Sequence, residues 1–90
     1  MSEQQKIDRG VKAERLLNDP MLAEGFDAVR GAILAKFEAS PVRDTEGRER
    51  LFLMLKALND VKGHLEQAVR EGKFSHRLLE ERRRFQIFSR

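Results

Sequence analysis

The side chains best equipped for chemistry stand near the end of the chain, where Arg82, Arg83 and Arg84 are followed by Phe85, Ile87 and Phe88. Guanidinium groups make bidentate pairs with carboxylates, and a buried Phe or Ile contributes about 1.5–3 kcal/mol. Together they suit an anchor in a protein interface. Arginines alone would also suit a phosphate backbone, whose neutralisation releases counterions. No helix-turn-helix signature, zinc finger or row of stacking aromatics accompanies them. Phe85 and Ile87 also alternate, as in a strand that adds to the sheet edge of a partner. The tail therefore either grips another chain or folds back over the rest of this one.

The remaining polar residues do not assemble into a catalytic or metal pattern. His64 and His76 are the only histidines, and no cysteine or carboxylate cluster at ligand spacing joins them. His64 falls at an outward-leaning helical position and reads as solvated. Ser2, Ser40, Ser75 and Ser89 lack a nucleophile motif, and the glycines form no phosphate-binding loop. Glu80-Glu81, and Asp44 with Glu46, are accounted for by helix capping and solvation. No catalytic, metal-binding or cofactor-binding residue is expected, and the chain reads as a non-enzyme.

Helices must carry that tail. Asn18-Asp19-Pro20 is a helix start, with Asp19 as N-cap and Pro20 at the first helical position, where its missing amide proton costs no internal hydrogen bond. Leu22, Phe26, Val29, Ile33 and Phe37 then recur at helical spacing and lay one bulky stripe along residues 20–39. Beside it runs a line of small residues, Gly25, Ala28, Ala32, Ala35 and Ala39. The alanines are good helix formers on a half-exposed face, or the line is a close-contact face for another helix, from this chain or a second subunit.

Ser40-Pro41 ends this helix, because proline disfavours helical geometry in the residue before it. Asp44 or Thr45 caps a longer one, expected over about 45–71 and stopped by Gly72 as a left-handed C-cap. Leu51, Leu58 and Leu65, with Met54, Val61 and Ala68, repeat every seven residues, and Leu55 and Val69 widen the seam. The short link favours an antiparallel helical hairpin of 20–39 with 45–71. A preceding helix over about 4–18 carries Ile7, Val11, Leu16 and Leu17, interrupted by Gly10 at a cost of about 1 kcal/mol. Ser75 is placed to cap a short C-terminal helix before the basic-aromatic tail. The expected class is all-α, with a hairpin domain over 1–72 and an extension over 73–90.

Composition agrees with that class. A chain of 90 residues with 37% charged residues and only two prolines buries roughly 60–65% of the surface it exposes unfolded, so its core is thin. With no cysteine to staple it, self-association or a docking partner is the expected source of further stability. No apolar run reaches the roughly 20 residues a membrane span needs, and the polar start lacks a signal-peptide apolar region. No membrane partner is expected, and the default location is a cytoplasm or a particle assembled there. Residues 73–90 hold six basic and two acidic groups, a net +4, against twelve basic and thirteen acidic groups before them. All the excess positive charge lies in the tail, which thus admits nucleic acid as well as protein.

Ala13 to Asp19, the stretch from Phe26 onward, Pro41 to Leu51, Val61 to Leu65, and Glu71-Gly72-Lys73 together resemble small helical proteins of tailed phages and prophages. The resemblance covers roughly residues 10–75. It implies a setting of virion assembly and DNA packaging and brings no catalytic residues. On it, the expected role is a non-enzymatic virion or virion-assembly protein. Such a scaffold is made in the host cytoplasm and ends in the virion, as a homo-oligomer or in a symmetric assembly. The tail from Arg82 to Arg90 lies outside the match, and its docking among structural subunits is expected from its own arginines and large apolar side chains. The alternatives are a packaging factor resembling the oligomerisation part of a small terminase, with the arginines on DNA, and an inhibitor of a host protein.

Overall fold

The computed structural model describes residues 1–88, with side chains to Ile87. Among them the chain is all-helical, with α1 over Glu3–Leu17, α2 over Pro20–Ala39 and α3 over Thr45–Phe88. None of these helices is long and apolar enough to cross a membrane.

Local chemistry sets most of the helix ends. The Ser2 Oγ accepts from the Gln5 amide at 3.1 Å while the Gln5 Oε1 accepts from the Ser2 amide at 2.9 Å. This reciprocal capping box opens α1. Asp19, extended at φ −70° and ψ 119°, accepts from the amides of Met21 at 2.9 Å and Leu22 at 3.1 Å and opens α2. At the other end Ser40 is extended at φ −73° and ψ 140°, the geometry that Pro41 imposes on its predecessor. Its hydroxyl donates to the Phe37 carbonyl at 2.6 Å and so satisfies one of the open carbonyls at the end of α2. Asp44, rather than Thr45, caps α3, its carboxylate accepting from the Gly47 amide at 3.0 Å.

The expected stop at Gly72 is absent. α3 runs for 44 residues through Gly72 and Ser75, and no glycine has a positive φ. There is no left-handed cap at Gly72 and no separate C-terminal helix capped by Ser75, so the division between 72 and 73 falls inside one helix. The physical reason is tertiary: Gly72 is buried, with its Cα against the backbone of α1. Phe85 and Ile87 are likewise helical, so they do not alternate as in a strand. Two residues apart on a helix, they point roughly 200° from one another.

The chain divides into two compact units. One comprises Asn18–Gly63, that is, α2 and the first part of α3. Here Ile33 is buried, and Leu22, Phe26 and Phe37 of α2 and Leu51, Leu55 and Leu58 of α3 are half-buried. The Arg48 guanidinium lies 4.1 Å from the centre of the Phe37 ring and donates to the Ser40 hydroxyl at 3.2 Å, tying the two helices beside their turn. Met54 and Val61, expected in the heptad seam, are exposed, because the covered line of α3 is Leu51, Leu55 and Leu58 and they fall to one side of it.

The other unit joins Met1–Leu17 to the part of α3 from His64 onward. Gly10 and Ala13 of α1 and Ala68, Gly72 and Ser75 of α3 are all buried there. The pairing is antiparallel, since Arg9 meets Glu71 at 3.6 Å while Glu3 meets Arg82 at 3.9 Å. Small residues three apart on α1 and four and three apart on α3 let the backbones approach closely, as they do in other tight helix pairs.

Candidate docking surface on the C-terminal part of α3

In the unit formed by α1 and the C-terminal part of α3, helix α3 turns its small residues toward α1. What remains on its other sides is determined by the helical period of about 100° per residue. Leu79 continues the covered side and is half-buried. Phe74, Leu78 and Phe85 stand four and seven residues apart and form a separate line, turned by about 120–160° from Gly72 and by about 60–100° from Ser75. Phe74 is 56% exposed and Phe85 74%, with Leu78 half-buried between them. Two phenyl rings are thus presented on one line of a regular helix.

The tail residues expected to act together are separated by the helix. Arg82, Arg83 and Arg84 follow one another, so their side chains leave in three directions about 100° apart. Arg82 lies 3.9 Å from Glu3 of α1 and Arg83 4.0 Å from Glu80. Arg84, one residue before Phe85, has no ion pair among the described residues. Ile87 is exposed on another side, and the side chain of Phe88 lies outside the described residues. Phe85 and Ile87 are open to solvent rather than folded back over the rest of the chain. Phe74 belongs with Leu78 and Phe85, and the sequence does not show it: Leu78 is expected beside Leu79 on a short helix from Ser75 through Arg84, which leaves Phe74 in the break before it.

The other candidate face looks different. Gly25, Ala28, Ala32, Ala35 and Ala39 are all exposed, and a Cβ built at Gly25 or at Gly31 would meet nothing within 4 Å. The close helix contact lies instead at Gly10 and Gly72. Beside that contact a shallow groove of about 140 Å³ runs between Ile7, Val11, Val69 and His76. Its walls are mainly apolar, with Glu14, Lys73 and His76 among the residues that line it. Arg9 bridges the two helices, donating to the His64 Nε2 at 3.1 Å and facing Glu71. Among the described residues no three metal-ligating side chains come together.

Comparison with protein-family models, curated proteins and solved structures finds no match. The chemistry of the surface must therefore carry the functional reading. It offers exposed aromatic rings, arginines and a rigid helical support, the residue types that dominate the energetics of protein interfaces.

Proposed function

We propose that this chain is a non-enzymatic helical scaffold that docks on a protein partner through the C-terminal part of α3. The observation that carries this is the exposure of Phe74 and Phe85 on one line of a helix that is already packed along a neighbouring side. Burying each ring in a partner would contribute about 1.5–3 kcal/mol. In the phage setting that the resemblance over residues 10–75 implies, the partner is a structural subunit of the virion. The chain then acts as a homo-oligomer or within a symmetric assembly, formed in the host cytoplasm and carried into the particle. The hairpin expected of α2 with the first part of α3 serves that assembly as a support.

DNA packaging is the weaker reading, because Arg82 and Arg83 each stand beside a glutamate, which lowers their value to a phosphate backbone. A photo-crosslinking benzophenone in place of Phe85, in cells expressing the full chain from its own locus, separates the two. Docking gives a covalent adduct with another protein, formed equally in about 1 M salt, since apolar burial is not screened by ions. A nucleic-acid adduct, or none at all, overturns the proposal.

A further inference from the structure

The apolar line of α3 has a charged flank. Arg70, Arg77 and Arg84 recur every seven residues, drifting by only about 20° per repeat, and so form a row along one side of Phe74, Leu78 and Phe85. Arg70 lies four residues before Phe74 and Arg77 three after it, while Arg77 and Arg84 directly precede Leu78 and Phe85. All three arginines are exposed. Every other arginine of this unit with a nearby carboxylate faces in a different direction: Arg9 meets Glu71, Arg82 meets Glu3 and Arg83 meets Glu80. Arg70 donates to Gln67 at 2.9 Å, and among the described residues none of Arg70, Arg77 and Arg84 has an ion pair. Three guanidinium groups outside any ion pair among the described residues therefore border an exposed apolar line, with Glu66, Glu80 and Glu81 three or four residues from them along the helix.

We propose that Phe74, Leu78 and Phe85 receive one amphipathic helix of a partner protein whose flank is acidic, with carboxylates pairing to Arg70, Arg77 and Arg84. This rests on the docking reading above and adds the chemistry of the partner. The spacing of four and seven is that of helix-on-helix recognition, and a regular row of guanidinium groups fixes orientation through bidentate pairs. Glu81 is the one acid within the line, between Leu78 and Phe85, and it sets the register by facing a basic or polar residue of the partner.

A second copy of this chain does not fit. Antiparallel pairing along the line would place the arginine row against itself. Parallel pairing would set Arg77 opposite the position of Arg82 in the other copy, again like against like. A nucleic-acid backbone would satisfy the arginines but leave both phenyl rings in water.

The test uses the full chain and two synthetic three-heptad peptides with the same leucine seam, one flanked by glutamates and the other by lysines. Binding is followed by fluorescence anisotropy in about 0.1 M NaCl, where charge at a surface is only partly screened. The acidic peptide is expected to bind at least about tenfold more tightly than the basic one. Arg70→Glu, Arg77→Glu and Arg84→Glu together reverse that order, and Phe85→Ser weakens both peptides. Circular dichroism checks that α3 stays helical, and Arg77→Glu alone, which narrows the ratio by about threefold, serves if the triple variant does not fold. Equal binding of the two peptides overturns the inference, as does a preference that survives the arginine changes. So does self-association by light scattering that Phe85→Asp abolishes, which assigns the line to a second copy. Duplex DNA bound through the three arginines while both peptides stay free assigns the row to phosphate and also overturns it. A protein adduct at position 85 without an acidic preference leaves docking standing and removes only this inference, whereas no adduct removes both.

Discussion

A methyl group added at Gly10 would lie 2.9 Å from the Ala68 carbonyl oxygen and 3.0 Å from the Gly72 Cα, and neither backbone atom can move aside by changing rotamer. Alanine is the better helix former by about 1 kcal/mol, but overpacking a close contact costs about 1–3 kcal/mol. Gly10→Ala should therefore destabilise the chain by about 1 kcal/mol, within a range of roughly 0–2. At Gly31 the same change meets nothing within 4 Å and should stabilise by about 0.5–1 kcal/mol. Urea midpoints followed by far-UV circular dichroism test the pair, and a Gly10→Ala protein as stable as Gly31→Ala would disprove the close contact. Arg48 makes a second residue-scale case, because it both covers the Phe37 ring and donates to Ser40. Arg48→Ala should cost about 1 kcal/mol, and Arg48→Lys should recover only part of it, since an ammonium lacks the planar fork. Full recovery by lysine would mean that charge alone matters there.

Among the elements, the ends of α1 and α2 were legible in the sequence because their signals are local. Asp19-Pro20 and Ser40-Pro41 act through their own side chains and φ angles, and the structure places α2 at Pro20–Ala39 as those residues indicate. The end of α3 was not legible. A glycine at the end of a heptad run reads as a stop, and only Gly10, far earlier in the chain, turns Gly72 into a contact within an unbroken helix. The same dependence hides part of the candidate surface, since Phe74 joins Leu78 and Phe85 only on a continuous helix. The arginines and phenylalanines were conspicuous by type, but the direction in which each leaves the helix depends on that continuity. At the N-terminus of α3, the sequence left Asp44 and Thr45 as alternative caps, and the Asp44 carboxylate holds the Gly47 amide. Asp44→Ala should cost about 1 kcal/mol, as should Asp19→Ala at α2, while Thr45→Ala should stay within about 0.5 kcal/mol of the parent. A larger loss at Thr45 than at Asp44 in thermal denaturation would move the cap.

For the whole molecule, the decisive quantity is how little the described chain buries on its own. Ala13, Ile33 and Ala68 are its buried hydrophobic residues, while Phe52, Phe74 and Phe85 are all more than half exposed. A domain with so thin a core sits at the low end of the usual stability range and gains most from whatever binds its folded form. Binding to the folded but not the unfolded state adds RT ln(1 + [L]/Kd), about 2.7 kcal/mol when ligand is at a hundredfold excess over Kd. For a chain of this size each kcal/mol raises the melting temperature by about 4–8 °C, so that excess of the glutamate-flanked peptide should raise it by roughly 10–20 °C. The lysine-flanked peptide at the same concentration, bound at least about tenfold more weakly, should raise it by no more than about 6–11 °C. In the Arg70, Arg77 and Arg84 triple glutamate variant the two responses should exchange. Calorimetric scans of the four combinations measure this directly. A rise that is the same for both peptides in the parent chain would show that apolar burial alone drives the stabilisation and that the arginine row plays no part in choosing the partner.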